Sequence, residues 1–339
     1  MRRYDMQVPE CSRLRGLAAS EINGGGGEGL VVKQTELVQK VQKIKLDSLE
    51  EGASTVDRAR LKGVSAAHAG AFLVAAPSRG LDMLLTNEEV SSRVGRRLGI
   101  AICEEQTCPF CFGIMDRFGI HAESCMAGGD KTAAHHCVRN DVYHHAGRGN
   151  TGPVLEAAGV LDMLGVQDAQ GRLGERPADV LLCSAQGVRT GIGARGRPRV
   201  ALDIGIVCPQ AASHLEAAAM EIVGAAEEYV RTKAARRDIE RRCAEVGVVF
   251  QTMIFESLGG VSVEAEGVIK CLNKLVAFNT GSSVGEVAPL FWQRLSIDIQ
   301  RAGHRAFARR MSHRTGFQNE GVGWGGRSGS SVLEAPSGA

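Results

Sequence analysis

Little of this sequence is aromatic: 10 Phe, 3 Tyr and 2 Trp make up 4% of 339 residues, against 43 glycines. That mixture looks more like a loosely constrained, GC-rich coding sequence than a tightly packed small enzyme. Charge of one sign is lacking too. The formal net charge is only +2, so a case for a polyanionic partner must come from local clusters. No apolar segment follows the charged N-terminal stretch MRRYDMQVPECSRLRGL, as a secretory signal would require. No run approaches the ~20 apolar residues of a membrane span, so no membrane partner is expected. A P-loop is missing, and no nucleotide cofactor is expected.

Hydrophobic residues still reach 44%, enough for a globular chain with a sizeable core. Ten cysteines without a secretory signal point to a reducing, intracellular location, where clustered Cys more often means metal than disulfide.

Residues 1–32, with INGGGGEG, read as disordered or a linker. Over 33–102 the pattern is helical. Leu37, Val38, Val41 and Ile44 share a helical spacing, and Thr86 with Glu89 marks a capping-box start. A Cys/His segment and a following helix occupy 103–145. Two short apolar runs, RPADVLLCS (176–184) and RPRVALDIGIVCP (197–209), suit buried strands. A long Ala-rich helix over 213–246, a third strand at VVFQTMIFESLGG and another helix complete an α/β region over 146–278. A basic amphipathic helix is expected within 279–315 and a Gly/Ser-rich disordered tail over 316–339. No internal repeat is visible.

The segment CPFCFGIMDRFGIHAESC sets Cys108 and Cys111 in a C-x-x-C turn, with His121 and Cys125 four residues apart on one helical face. Two ligands from a tight turn and two from the next element make a structural zinc site, and bound metal would supply much of so short a segment's folding energy. The competing reading is apolar cysteines beside a surface histidine. Cys103, His135, His136 and Cys137 are substitutes outside the pattern.

Asp179 and Asp203 each sit inside an apolar run. A buried strand carboxylate is costly unless it meets a metal or a partner. Side by side, such acids hold Mg²⁺, which activates water at a phosphodiester. Glu156 is a third acid upstream. Alternatively, Asp179 is a polar strand end and Asp203 pairs with an arginine such as Arg199.

Taken in order, RARLKGVSAAHAGAFLVAAPS, SSRVGRRLGI, CPFC…FGIHAESC, GGDKTAAHH, RPADVLL, ALDIGIV, EEYVRTK, FQTMIFESLGG and LFWQRLSIDIQRAGHRAFARR cover about 35–312. The series resembles the C-terminal part of non-LTR retrotransposon reverse transcriptase proteins, a zinc knuckle followed by a restriction-enzyme-like PD-(D/E)XK endonuclease. The resemblance implies a mixed sheet flanked by helices, catalytic acids at Asp179 and Asp203, Glu156 as the upstream acid, structural Zn²⁺, catalytic Mg²⁺ and target-DNA nicking. No paired-aspartate polymerase motif is present. Restriction enzymes carry a lysine two residues after the second acid, where Gly205 stands here. Related retrotransposon enzymes carry it on the next helix, shortly before a Tyr. Tyr229 fits that Tyr, but Ala225 and Ala226 occupy the preceding turn. Lys233, one turn beyond Tyr229, either replaces the lysine or is a solvated helix residue. Loss of that charge would cost about two or three powers of ten in rate.

Arginine clusters precede the Cys/His segment (Arg93, Arg96, Arg97), stud the two later helices, and line the loop between the acidic runs: Arg189, Arg195, Arg197 and Arg199. That loop lacks acids and is expected to contact phosphate. The expectation is therefore an intracellular, nuclear, Mg²⁺-dependent endonuclease domain acting on DNA and possibly RNA, or a catalytically silent nucleic-acid-binding remnant.

Overall fold

The computed structural model describes residues 34–157, 178–184, 199–235 and 238–312. The lead expected over 1–32 and the tail expected over 316–339 lie outside them.

Three helices come first: α1 (Gln34–Glu51), α2 (Thr55–Val64) and α3 (Asn87–Leu98), with a 3₁₀ turn at Ala71–Val74 before α3. Their starts are written locally. Ser54 Oγ accepts from the Asp57 amide at 3.1 Å. Thr86 Oγ1 accepts from Glu89 N at 3.2 Å, and Glu89 Oε2 accepts from Thr86 N at 2.7 Å, which closes the expected capping box. The Cys/His segment forms an antiparallel ribbon, β1 (Gln106–Thr107) with β2 (Ile114–Met115), then the short helix α4 (Ile120–Ser124). α5 (Asp130–Arg148) leads into the main sheet.

The chain is α/β, with a four-stranded mixed sheet. β3 (Pro153–Leu155), β4 (Val180–Leu182) and β5 (Arg199–Val207) run as an antiparallel meander, and β6 (Val248–Glu256) lies parallel to β5. A parallel pair needs a crossover. α6 (Leu215–Met220), α7 (Gly224–Ala235) and α8 (Ile239–Glu245) provide it; α9 (Val263–Thr280) and α10 (Val284–Ser312) follow β6.

Side chains alternate along a strand, and β5 separates two chemistries by that rule. Val200, Leu202 and Ile204 enter a core shared with Val138 of α5, Leu272 of α9 and Leu295 of α10. Each such fully buried aliphatic side chain contributes about 1.5–3 kcal/mol. Ala201 packs against Cys243 and Phe250 on the other face. Asp203 and Gly205 fall on that second face, where Tyr229 and Lys233 of α7 reach them.

The structure corrects one expectation. The stretch read as one helix over 213–246 is three, α6 to α8. Val223 adopts a left-handed φ of 57°, and a Cβ on Gly224 would stand 2.1 Å from the Ala217 carbonyl oxygen, so the chain turns sharply there. The buried Glu256 carboxylate then accepts from the Ala226 amide at 3.2 Å, starting α7 from the sheet side. The basic face of α10 is exposed at Arg305 and Arg309, yet several of its arginines also find acidic partners. Arg301 bonds Asp298 at 3.0 Å, while Arg309 and Arg310 bond Asp130 at 2.6 and 2.7 Å. α10 buries Trp292, Leu295, Ile299 and Ala306 on one face. Among the described residues, no helix is long and apolar enough to cross a membrane.

Candidate functional site

Cys108, Cys111, His121 and Cys125 converge, their ligand atoms all within 4.8 Å of one another. A tetrahedral ion with metal–sulfur bonds near ~2.3 Å separates its ligands by about 3.8 Å, so this cluster can close on a metal with a small adjustment. Three sulfurs and one imidazole nitrogen suit a thiophilic divalent ion. Local geometry builds the cage. Cys108 N donates to Gly113 O at 2.8 Å across the C-x-x-C turn, and Phe112, just after it, has φ 61°. Asp116 organises the other half: its carboxylate accepts from the amides of Phe118, Ile120 and His121 at 2.9, 3.1 and 2.7 Å. That aims the helix carrying His121. The Cys108 thiol is pulled down to about 6; burial opposes this, but the Phe110 and Cys111 amides and His121 outweigh it. A thiol so placed is readily a thiolate ligand.

The cluster is wired into the rest of the chain. Between His121 and Cys125, Glu123 turns inward and meets Arg93 Nη2 at 2.7 Å, Arg96 Nη2 at 3.2 Å and the Ser257 hydroxyl at 2.6 Å. Arg93 and Arg96 are 2% and 1% exposed. Thus two members of the arginine cluster that precedes the Cys/His segment are interior ion-pair partners. Burial works against the Glu123 carboxylate, yet the two guanidiniums hold it down to about 2. Gly303 of α10 makes room for this triad, since a Cβ there would stand 2.7 Å from the Arg93 guanidinium.

The acids meet as well. Val180 pairs with Leu202 in the β4–β5 register, and one residue further Asp179 stands across from Asp203. Asp179 Oδ2 accepts from Ile204 N at 2.7 Å and lies 3.1 Å from His135 Nε2. Lys233 Nζ donates to Asp203 Oδ1 at 2.7 Å and to the Ile204 carbonyl at 3.1 Å. Burial raises both carboxyls, but the outcome splits. His135, the Ile204 amide and Lys233 bring Asp179 below its usual value, whereas Asp203 stays above, pushed by burial and by Asp179 against Lys233. Two opposed carboxylates with divergent affinities share a proton readily and accept a cation in its place.

Lys233 is therefore not a solvated helix residue; its side chain is 15% exposed. Its partner is Asp203, while Arg199, the other pairing considered for that acid, donates to Val246 O at 3.1 Å. Glu156 is tied to this site through its backbone, its amide donating to Asp179 O at 2.9 Å, but its carboxylate pairs with Arg139. Among the described residues, the Cys/His set is the one group of three or more potential ligands that converges, so Glu156 does not join the two aspartates. Arg189, Arg195 and Arg197 lie outside the described residues. Within 191–196, GIGARG has the G-x-G-x-x-G spacing of a dinucleotide loop, but it links β4 to an antiparallel β5, whereas that chemistry needs a helix leading to a parallel strand. His135, considered only as a substitute metal ligand, reaches Asp179 instead, and no periodicity in α5 marks it for that role.

Compared with known proteins, the chain matches no family model, and no curated protein shows significant similarity to it.

Proposed function

We propose that this chain is a metal-dependent DNA endonuclease domain of the non-LTR retrotransposon type, with a zinc knuckle ahead of a restriction-endonuclease-like sheet. One observation carries the reading: Lys233 places its ammonium on Asp203, which faces Asp179 across the β4–β5 pair. Two acids and a lysine on one sheet face are what metal-assisted phosphodiester hydrolysis needs. Like charges opposed in a sheet repel; Lys233 and His135 offset part of that repulsion, and a divalent cation between the acids would offset the rest. Asp179 Oδ2 and Asp203 Oδ1 are committed to His135, Ile204 and Lys233. Mg²⁺ would be held by the other oxygen of each carboxylate, where the two acids face one another.

When bound there, Mg²⁺ would acidify a water and offset phosphate charge. The chain's own parts have separate tasks. His135 and the Ile204 amide fix the orientation of Asp179, and Lys233 orients Asp203 and carries positive charge toward the reacting phosphate. Zn²⁺ in the Cys₃His cluster is structural, because four protein ligands leave no open position. DNA, and RNA in the parent element, are the partners this reading takes.

Nicking of supercoiled plasmid tests it. Wild type should nick with Mg²⁺ or Mn²⁺, and Asp203→Ala should abolish the activity. A protein that binds DNA with a normal salt slope yet never nicks under any divalent metal is the silent remnant instead.

A further inference from the structure

Glu256 ends β6 on the sheet face that carries Asp203, and it is 1% exposed. In the β5–β6 register Asp203 pairs with Thr252, Gly205 with Ile254 and Val207 with Glu256. Strand residues two apart share a face, so Asp203, Gly205 and Glu256 stand in a row about 13 Å long. α7 lies along that row and meets it at three points. Glu256 Oε1 accepts from the Ala226 amide at 3.2 Å, and the carboxylate also takes the Ala225 amide. Tyr229 packs on Gly205, its Cε1 3.1 Å from where a Cβ would stand there. Lys233 Nζ reaches Asp203 Oδ1 at 2.7 Å and Ile204 O at 3.1 Å, 5.6 Å from the centre of the Tyr229 ring. Residues 226, 229 and 233 are three and four apart, on one face of the helix. They rise about 10.5 Å along it, short of the row by less than the length of a lysine side chain.

The carboxyl at the start of this row is closed in. Glu256 N donates to Gly260 O at 2.8 Å, and a Cβ on Gly260 would stand 2.5 Å from Glu256 Oε2 and 3.0 Å from Val223 Cγ1. Oε2 is buried and has no hydrogen-bond partner, so the amides of α7 are what hold this group. With the side chain boxed in, a change in its grip on those amides moves the helix.

We propose that Glu256 is a positioning residue for Lys233: it pins the first turn of α7 to the end of β6, and the helix carries that placement to the ammonium on Asp203. This role rests on the nuclease reading of Asp179, Asp203 and Lys233 and adds its dependence on pH. An ionised carboxylate attracts the positive end of a helix and takes charge-assisted bonds from its amides, whereas the neutral acid holds them about half as strongly. Burial pushes the carboxyl up to about 7, Glu227 adds to the rise, and the Ala226 and Ala225 amides oppose it. Glu227, on α7 and bonded to Val263 N at 2.7 Å, is the charged group that faces it. Lys233 is therefore held firmly on Asp203 above about pH 7 and loosely below.

Single-turnover nicking by wild type and Glu256→Gln across pH tests it. Gln keeps the shape and cannot ionise. The ratio of the two rates cancels every titration they share, that of metal-bound water and of Asp203 included. It should be near one in acid and rise to about ten-fold in base, the cost of a small misplacement of a catalytic group, with its midpoint at about 7 and gel-shift affinities equal. The NMR signal of the Lys233 ammonium, identified by its absence in Lys233→Arg, gives a readout apart from activity. It should shift with the same midpoint in wild type and lose that step in Glu256→Gln. A rate ratio that is flat with pH, or a Lys233 signal that titrates alike in both proteins, overturns the proposal. A wild type that never nicks sinks the nuclease reading alone, and the Lys233 signal then decides whether Glu256 positions it.

Discussion

Lys233 Nζ lies 2.7 Å from Asp203 Oδ1, across thirty residues of sequence. The same face explains the glycine two residues after Asp203. A Cβ on Gly205 would meet Ile254 Cδ1 at 2.9 Å and Tyr229 Cε1 at 3.1 Å. A strand lysine has no room there, and α7 delivers one from above.

Replacing Lys233 with Ala should lower the nicking rate by about 10²–10³ while leaving DNA affinity within a few-fold. Rates under single-turnover conditions and gel-shift affinities separate the two effects. A Lys233→Ala protein that nicks at the wild-type rate would remove the lysine from the mechanism.

A metal bound in the Cys/His cluster should raise the melting temperature of the whole chain in one transition. Glu123 sits between two ligands and holds Arg93, Arg96 and Ser257, so loss of the cage unseats three buried partners in other elements. Calorimetry with and without a strong chelator checks this. Two separate transitions would show that the cluster is an independent module.

Gly303→Ala should destabilise the fold by about 1–3 kcal/mol, because the new methyl drives against the Arg93 guanidinium. Glu123→Gln should cost more, about 3–5 kcal/mol, since it leaves two buried guanidiniums without their anion. Denaturant midpoints at equal m-value give both numbers.

Stability should fall between about pH 4.5 and 7 through Glu256. Burial pushes its carboxyl up to about 7, although the Ala226 and Ala225 amides pull it back. A folded pKa above the unfolded one means that the native state holds the extra proton. The advantage is complete below the unfolded value and lost as pH rises through the folded one. The slope from this group is at most about 1.4 kcal/mol per pH unit. Glu256→Gln should remove that component from urea midpoints measured across the range; an unchanged slope would assign it elsewhere.

Local order was legible in the chain. The Thr86–Glu89 box and the apolar strand RVALDIGIV depend on neighbours within a few residues, so their patterns name them. The Cys/His cage was legible for the same reason, its ligands spanning residues 108–125. Asp203 could be recognised as an acid in a buried strand, but not its partner. Composition also misled: an Ala-rich run read as one helix because propensity is additive along the chain, whereas its breaks come from Gly224 meeting Ala217 and from a carboxylate on β6.

By itself, then, the sequence determined the capping box, the two apolar strands that carry the acids and the spacing of the Cys/His set, since each follows from short-range pattern. The tertiary structure alone decided that Lys233 and His135 serve the two acids, that Arg93 and Arg96 turn inward to Glu123, and that Glu156 pairs with Arg139. Those are choices of partner for a charge. They depend on which helix crosses which strand, and burial makes them obligatory, because an ion taken from water must find its counter-ion wherever the fold has placed one.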